Sequence, residues 1–592
     1  MAVRPHRNSK IRSLHWAGAN DKMKMTSFRI ALLALILPIA IVGCGCNRKS
    51  ESNSGQPVVK LAVAEPPKTV ADSLFQDRAE ASGIRFKLGH NGKSPLNLKE
   101  TMGTGCAIAD FNGDGKPDIF LVGQLGTASE GHSKLFLNQG NGVFKDATPG
   151  SGLEQPGMYM GCAVGDLDND GLPDLLVTGY GVLKLYHNLG KGKFQDVTKS
   201  SGIDAPKPDD WFTSAGFAEV THSGKLDLYI GRYVLFNSTS SQFCNYGKIK
   251  SACGPNFYDA QQGVFYKNLG GFKFKNATHE FGLDVAHGKC LGVVFGDVNN
   301  DGWPDLYLGN DEMPGDLFIN QGGKGFKNVA LESGVALSGD GQVQGAMGVD
   351  FGDYSRTGRP DLAIATYEFE PLSLYSNSES GLFSPASATM GVDEATRIKV
   401  GFGLKFADFD NDGYLDMAVA NGHIHDNQDK IDRQTTYAQP NQLFLQERKR
   451  FVDRSKEAGS GFTTPNVGRG LAVGDLDGDG KVDLVITDLE GNARVLFNRM
   501  KVTGNWITVK LHGKKSNRLG IGSKVTVKSG SEKWTVECTT GGSYLSAVDS
   551  RVHIGIGKSE KIDSIEVLWT SGGRTNVASP KINREIEVIE TP

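Results

Sequence analysis

The chain has 592 residues, and its 64 basic and 67 acidic side chains leave a formal net charge of −3. That balance argues against a nucleic-acid partner, whose phosphates call for a strongly basic face, and the length exceeds one ordinary domain. Its 77 glycines, about twice the ~7% average, favour turns over long helices.

An apolar run of 13 residues, 30–42, follows a basic stretch. It is too short to cross a bilayer, which takes roughly 20 residues, and fits a signal-peptide core. It ends at Ile41-Val42-Gly43-Cys44, which resembles a bacterial lipobox and makes Cys44 the expected lipidation site. Residues 1–43 are therefore read as a lipoprotein-type signal peptide, and 44–72, rich in Ser, Lys, Glu and Pro, as a polar tether.

From residue 73 to 500 one nine-residue pattern recurs. Its full copies place acids or amides at positions 1, 3, 5 and 9: Asp110, Asn112, Asp114 and Asp118; Asp166, Asp168, Asp170 and Asp174; Asp297, Asn299, Asp301 and Asp305; Asp408, Asp410, Asp412 and Asp416; Asp475, Asp477, Asp479 and Asp483. Oxygen ligands at alternate residues of a tight loop suit calcium, which takes about six to eight of them. Glycine at position 6 permits the positive φ such a turn needs. The absence of Cys and His argues against zinc or copper. An EF-hand needs flanking helices and Glu at position 12; here position 12 is Leu121, Val177, Leu308, Val419 or Ile486, inside short β-like runs. Each loop thus joins two strands. About five calcium ions are expected.

Degenerate copies at 219–227 and 353–361 keep the glycine and the final Asp but lose other ligands, and are read as structural turns. The seven loops begin at 110, 166, 219, 297, 353, 408 and 475. A second word, such as Lys134-Leu-Phe-Leu-Asn138 and its continuation to Thr148, follows most of them as two strands around an Asn/Gly turn. Four short strands per repeat of about 55 residues predict an all-β, seven-bladed β-propeller. Phe75–Ile84 resembles the end of a repeat and can complete the blade begun near 475. Insertions fall near 233–262 and 421–440. Cys244 and Cys253 lie in the first and can form a disulfide in an exported protein. Cys106 and Cys162 hold equivalent blade positions as small buried hydrophobes; Cys46, Cys290 and Cys538 have no evident partner. In the second insertion, His423-Ile-His425-Asp426 is read as a polar segment at the propeller rim, with metal or catalysis as the alternative. Residues 501–592 alternate as short strands and predict a small β-sandwich or partial barrel.

These residues carry a family resemblance. The loops resemble FG-GAP/VCBS repeats, the calcium-loop blades of the integrin α-chain head. Asn505-Trp506, Asn517–Gly522, Gly541–Leu545, His553–Gly557 and Trp569–Gly572 resemble the ASPIC and UnbV domain. Asn421-Gly-His423 and Val467-Gly-Arg-Gly470 also resemble words of that family, in which cartilage acidic protein and bacterial relatives pair the two parts. The resemblance implies calcium at the five full loops, extracellular binding or adhesion, and no settled enzymatic activity. The expectation is an exported, lipid-anchored envelope protein that binds protein or carbohydrate and reaches the membrane through its N-terminal lipid. A polysaccharide lyase or hydrolase and an envelope assembly scaffold are the alternatives; no catalytic set is recognisable.

Overall fold

The computed structural model describes residues 73–88, 93–124, 132–237, 239–286, 288–379, 381–501 and 504–591. The apolar run, Cys44, Cys46 and the whole tether lie outside them. Among the described residues the α-helices are single turns of four residues. Seven antiparallel sheets, each with four strands on its main path, follow in chain order, at 106–146, 159–196, 212–276, 290–328, 349–385, 401–453 and 468–498; the fourth adds a short strand, Gln344–Gly345. We number them blades 1 to 7. Blade 7 takes its outer strand from the other end of the chain: Phe75–Asp77 pairs antiparallel with Arg494–Asn498, Phe75 opposite Asn498. The first strands touch in order from blade 1 to blade 7, and that of blade 7 touches that of blade 1. This is the closed ring of a β-propeller.

Local chemistry sets each blade. Several first strands are rich in small apolar residues and wholly buried, such as Cys106–Ala109 and Tyr159–Gly165. Small side chains let them crowd the axis. Larger apolar groups fill the seams, for example Phe111, Leu135, Tyr159, Leu175 and Phe194 between blades 1 and 2. Each fully buried Leu or Phe contributes roughly 1.5–3 kcal/mol.

A repeated polar bond crosses every seam. The Asn of each third strand donates its side-chain N–H to the carbonyl of position 2 in the previous blade's loop. Asn188 reaches Phe111, Asn268 reaches Leu167, Asn320 reaches Val220, Asn377 reaches Val298 and Asn498 reaches Phe409. Asn138 closes the ring on Leu476, and Gln446 does the same work toward Tyr354.

Residues 505–589 form two further sheets. Asn505–His512 pairs antiparallel with Val552–Gly557 and parallel with Glu585–Ile589. The other sheet orders Glu532–Glu537, Lys524–Ser529, Ser564–Leu568 and Arg574–Ala578. Val509, Val525, Ile554 and Val567 belong to the buried core of this sandwich. The link between its two sheets, residues 539–548, runs down the axis of the propeller. Ser543 exchanges both backbone bonds with Val349, Leu545 O accepts from Cys162 N, and Ala547 bonds Cys106 and Ile108. Gly105 is held to glycine by this plug, because a Cβ there would lie 1.7 Å from Leu545 O.

Asn188→Ala is expected to cost about 2–4 kcal/mol, since the carbonyls of Phe111 and Pro173 both lose a buried donor. Urea unfolding of the variant measures this; a shift no larger than that of an exposed substitution contradicts the seam role.

Candidate functional site

The seven loops lie at one end of the axis, each joining the first strand of a blade to its second. Two residues per loop take the left-handed conformation. Position 6 is always glycine, with φ from 71 to 96°. Position 4 is Gly113, Asn169, His222, Asn300, Arg356, Asn411 or Gly478, at φ 47–76°. Asn and Gly tolerate that region best, which explains their frequency at position 4, a constraint the sequence reading missed.

The acids divide into two roles. The position-1 side chain receives the position-6 N–H in every loop: Asp166 accepts from Gly171 at 2.7 Å and Asp408 from Gly413 at 2.9 Å. Position 9 is buried throughout and staples the loop to the third strand. Asp174 Oδ1 accepts Asn188 N at 2.8 Å, and its Oδ2 accepts Leu167 N at 2.8 Å. Asp227 and Asp361 of the degenerate loops make the same bond to Asn268 and Asn377. The last Asp therefore persists where other ligands do not, because the blade needs it.

The structure gathers three carboxylates within 4.8 Å in loops 2, 6 and 7: Asp166, Asp168 and Asp174; Asp408, Asp410 and Asp416; Asp475, Asp477 and Asp483. Loops 1 and 4 carry Asn112 and Asn299 at position 3 and do not form such a triad. Cations approach several loops. Lys116 pairs with Asp114 at 2.8 Å and Arg499 with Asp477 at 2.9 Å, and the His187 ring lies 3.3 Å from Asp168. Lys524 of the C-terminal module lies 2.8 Å from Asp297. In loop 6 none of Asp408, Asp410, Asp412 and Asp416 has an ion pair among the described residues. Burial, then Asp410 and Asp412, hold Asp408 well above the carboxylate range, and burial with Asp410 raises Asp412 to about 6. An all-oxygen donor set with uncompensated charge fits a hard divalent cation.

The C-terminal module covers this face and touches every loop. Arg551 donates to Gly115 O, Arg518 N to Asn169 Oδ1, and His553 Nε2 lies 2.7 Å from Asn411 Oδ1. Trp534 Nε1 donates to Gly413 O at 3.1 Å, and a Cβ on Gly480 would meet the ring of Trp506. The degenerate loops use their altered residues here. Glu219 Oε2 accepts from Asn517 N, Asn517 Nδ2 and Thr570 Oγ1 at 2.7–3.0 Å. Arg356 lies over the rings of Tyr414 and Trp534 and pairs with Glu532 at 2.8 Å. A crevice of about 510 Å3 between module and propeller is lined by Asp408, Asp475 and Asp477.

The insertions meet at the opposite end. Cys244 and Cys253 form a disulfide across the hairpin Phe243–Tyr246/Ile249–Ala252. Cys106, Cys162, Cys290 and Cys538 are buried free thiols. His423 and His425 are buried rather than exposed at the rim. His423 Nε2 faces Glu368 at 3.3 Å, while its Nδ1 accepts His425 N. Arg469, wholly buried, satisfies all five N–H groups with the carbonyls of Thr101, Gly422, His423 and Gly468. That bond set ties together the two segments 421–423 and 467–470.

A pH dependence follows from the loops. Burial is the leading cause that raises Asp174 to about 9, Asp118 to about 8 and Asp166 to about 7, against an unfolded value near 4. The folded chain then holds more protons than the unfolded one between those values, so stability falls as pH rises. Chelator-stripped protein is expected to lose melting temperature steadily from pH 5 to pH 9. Added calcium is expected to raise it most at pH 9; equal slopes with and without the ion contradict this assignment.

A family model for the FG-GAP-like repeat matches residues 110–177, 166–230, 297–364 and 356–419, and one for ASPIC and UnbV matches 513–592. Cartilage acidic protein 1 of Xenopus tropicalis is 28% identical over 327 residues, covering 53% of this chain and 47% of its own length. The match thus spans about half of that relative. Integrin alpha-6 of Gallus gallus is 33% identical over 165 residues, 25% of this chain and 14% of that protein. Among solved structures, an Agrocybe aegerita lectin that recognises non-reducing terminal N-acetylglucosamine superposes with a TM-score of 0.39 at 16% identity, over 66% of this chain and 87% of its own. The repeats, the module and both family matches coincide: the chain belongs to the FG-GAP-repeat proteins that end in an ASPIC and UnbV domain.

Proposed function

We propose that this is an exported, lipid-anchored calcium-binding β-propeller that acts as a surface binding or adhesion protein for protein or glycan ligands, with calcium in a structural role. The covered loop face carries this reading. Asp408 and Asp416 are buried beneath the module, so an ion there lies under the module rather than on a face open to a macromolecular ligand. Asp408, Asp410, Asp412 and Asp416 would hold it, as would the equivalent residues of the other full loops. The ion supplies positive charge that cross-links the turn.

Binding then falls to the opposite face, where the insertions at 233–262 and 421–440 meet. The Cys244–Cys253 disulfide suits an oxidising compartment outside the cytoplasm. Cys44, after a 13-residue apolar run, is the anchor point. His423 faces Glu368, and His425 is bonded to Ser251 through Nδ1.

Equilibrium dialysis of stripped protein against calcium is expected to give about five ions, one for each full loop, and Asp410→Ala, which removes the position-3 oxygen altogether, is expected to remove one. Cells carrying Cys44→Ser are expected to release the protein and to lose radiolabelled palmitate from it. Immobilised ligands, protein and glycan, should retain wild-type cells and not the deletion strain. Equal retention of both strains overturns the adhesion reading; zero or one bound ion overturns the calcium reading.

A further inference from the structure

The face opposite the module contains a cavity of about 170 Å3 at the end of the axis, above the tip of the plug. Its wall is apolar: Leu98, Met102, Leu291, Met347 and Phe402 line it. Phe402 packs edge-on against Tyr544 of the plug, ring centres 5.0 Å apart. Three tyrosines, Tyr233, Tyr246 and Tyr367, complete the lining with Asp311, Glu312 and His425. A cavity of this size is smaller than the ~300–1,000 Å3 of a drug-sized site and suits one side chain.

Its polar groups are built and only partly used. Asp311 is 9% exposed; its Oδ2 receives the Tyr233 hydroxyl at 2.5 Å, and its Oδ1 has no hydrogen-bond partner among the described residues. The His425 tautomer follows from its neighbours. Asn427 Nδ2 donates to Lys250 O, so Asn427 Oδ1 is the acceptor that takes the Ser251 hydroxyl proton at 2.8 Å. Ser251 Oγ has no second proton to give, and so it accepts from His425 Nδ1 at 2.9 Å. Burial, then His423, lowers His425 to about 3 and keeps the ring neutral. The lone pair on Nε2 is left without a partner among the described residues, on a side chain 4% exposed that lines the cavity. Glu312 is half-buried at φ 52 in the left-handed region, and its Oε2 accepts from Asn256 Nδ2.

Charge and shape choose the ligand. Asp311, Glu312 and Glu370 are acids in one region, and Lys289 offsets part of that charge at Asp311. Burial is the first cause that raises Asp311 to about 7, and Glu312 and Glu370 add to it. A cation relieves that repulsion. Asp311, Glu312 and His425 are not among the clusters that close within 4.8 Å, so they do not converge on one metal ion. Tyrosine faces attract an organic cation, and the apolar wall covers methylene groups. A neutral sugar brings hydroxyls for which this wall offers too few partners.

We propose that the cavity receives an alkylammonium group, the side chain of a lysine presented by a protein partner. The apolar wall encloses the methylene stem. Asp311 and Glu312 pair with the ammonium, and His425 Nε2 accepts one of its N–H bonds. The assignment deepens the binding role proposed above and names the chemistry at its centre.

Calorimetric titration of the whole purified chain with Nα-acetyl-lysine methylamide tests it, with the norleucine analogue as the neutral control and glucosamine as a second ammonium source. The lysine probe is expected to bind saturably at one site, at least tenfold more tightly than the other two. Asp311→Asn is expected to weaken it at least tenfold with the melting temperature unchanged. If that variant fails to fold, Glu312→Gln must lower affinity at least threefold. Equal binding of the charged and neutral probes, no saturable binding in the millimolar range, or an unaffected Asp311→Asn overturns the proposal. A preference for glucosamine overturns the lysine assignment. The probe is a small molecule, so failed cell adhesion leaves a positive result standing, and a negative result leaves cell adhesion standing.

Discussion

The rest of the structure depends on one hydrogen-bonded pair repeated around the ring, the buried Asp at position 9 and the Asn of the third strand. The Asp accepts the Asn backbone N–H, and the freed Asn side chain reaches across the seam to the previous loop. The pair therefore fixes a turn within one blade and the register between two. Seven repeats of a bond worth about 1 kcal/mol each contribute less than the apolar seams. Their effect is geometric, since a seam of Leu, Val and Phe tolerates sliding and a directional bond does not. The arrangement places every loop at the same end of the axis, which concentrates acidic side chains on one face.

That concentration of charge has to be answered, and the chain answers it in more than one way. Loop 6 leaves its acids without ion pairs among the described residues and fits a cation. Loop 7 brings Arg499 to Asp477, and loop 4 receives Lys524 from the module. Loops 3 and 5 give up the ligand set. Glu219 turns its carboxylate to the module's Asn517 and Thr570, and Arg356 stacks on Trp534. The degenerate loops are thus docking points, and their departures from the pattern follow from what lies on top of them.

Local information was legible in the sequence. The nine-residue loops, the four-strand repeat and the outer strand at Phe75 all follow from spacings within one repeat or from an incomplete one. Cys244 and Cys253 sit close enough to be paired by eye. What the sequence concealed is contact at long range. Asp118 and its equivalents read as ligands equal to the others, because the Asn that binds each lies 14 to 41 residues on. His423 and His425 read as a rim segment, because Glu368 comes from blade 5 and Ser251 from the insertion at 233–262. The words Gly541–Leu545 and Val467–Gly470 carried a signal without a mechanism. Their glycines and buried Arg469 make sense only once the plug and the axis are seen together.

The plug also separates the two faces in function. A propeller with an open axis can bind along its channel; here residues 539–548 fill it and bond to blades 1, 2 and 5. With the loop face under the module and the channel closed, the opposite end of the axis is where the insertions, the disulfide and the unused polar groups meet. That end is also rigidly supported. Arg469 stacks 4.0 Å over Phe402, and the Tyr544 hydroxyl bonds Met102 O at 3.1 Å. Phe402 and Met102 both line the cavity, so its floor is set by the segment that anchors the module.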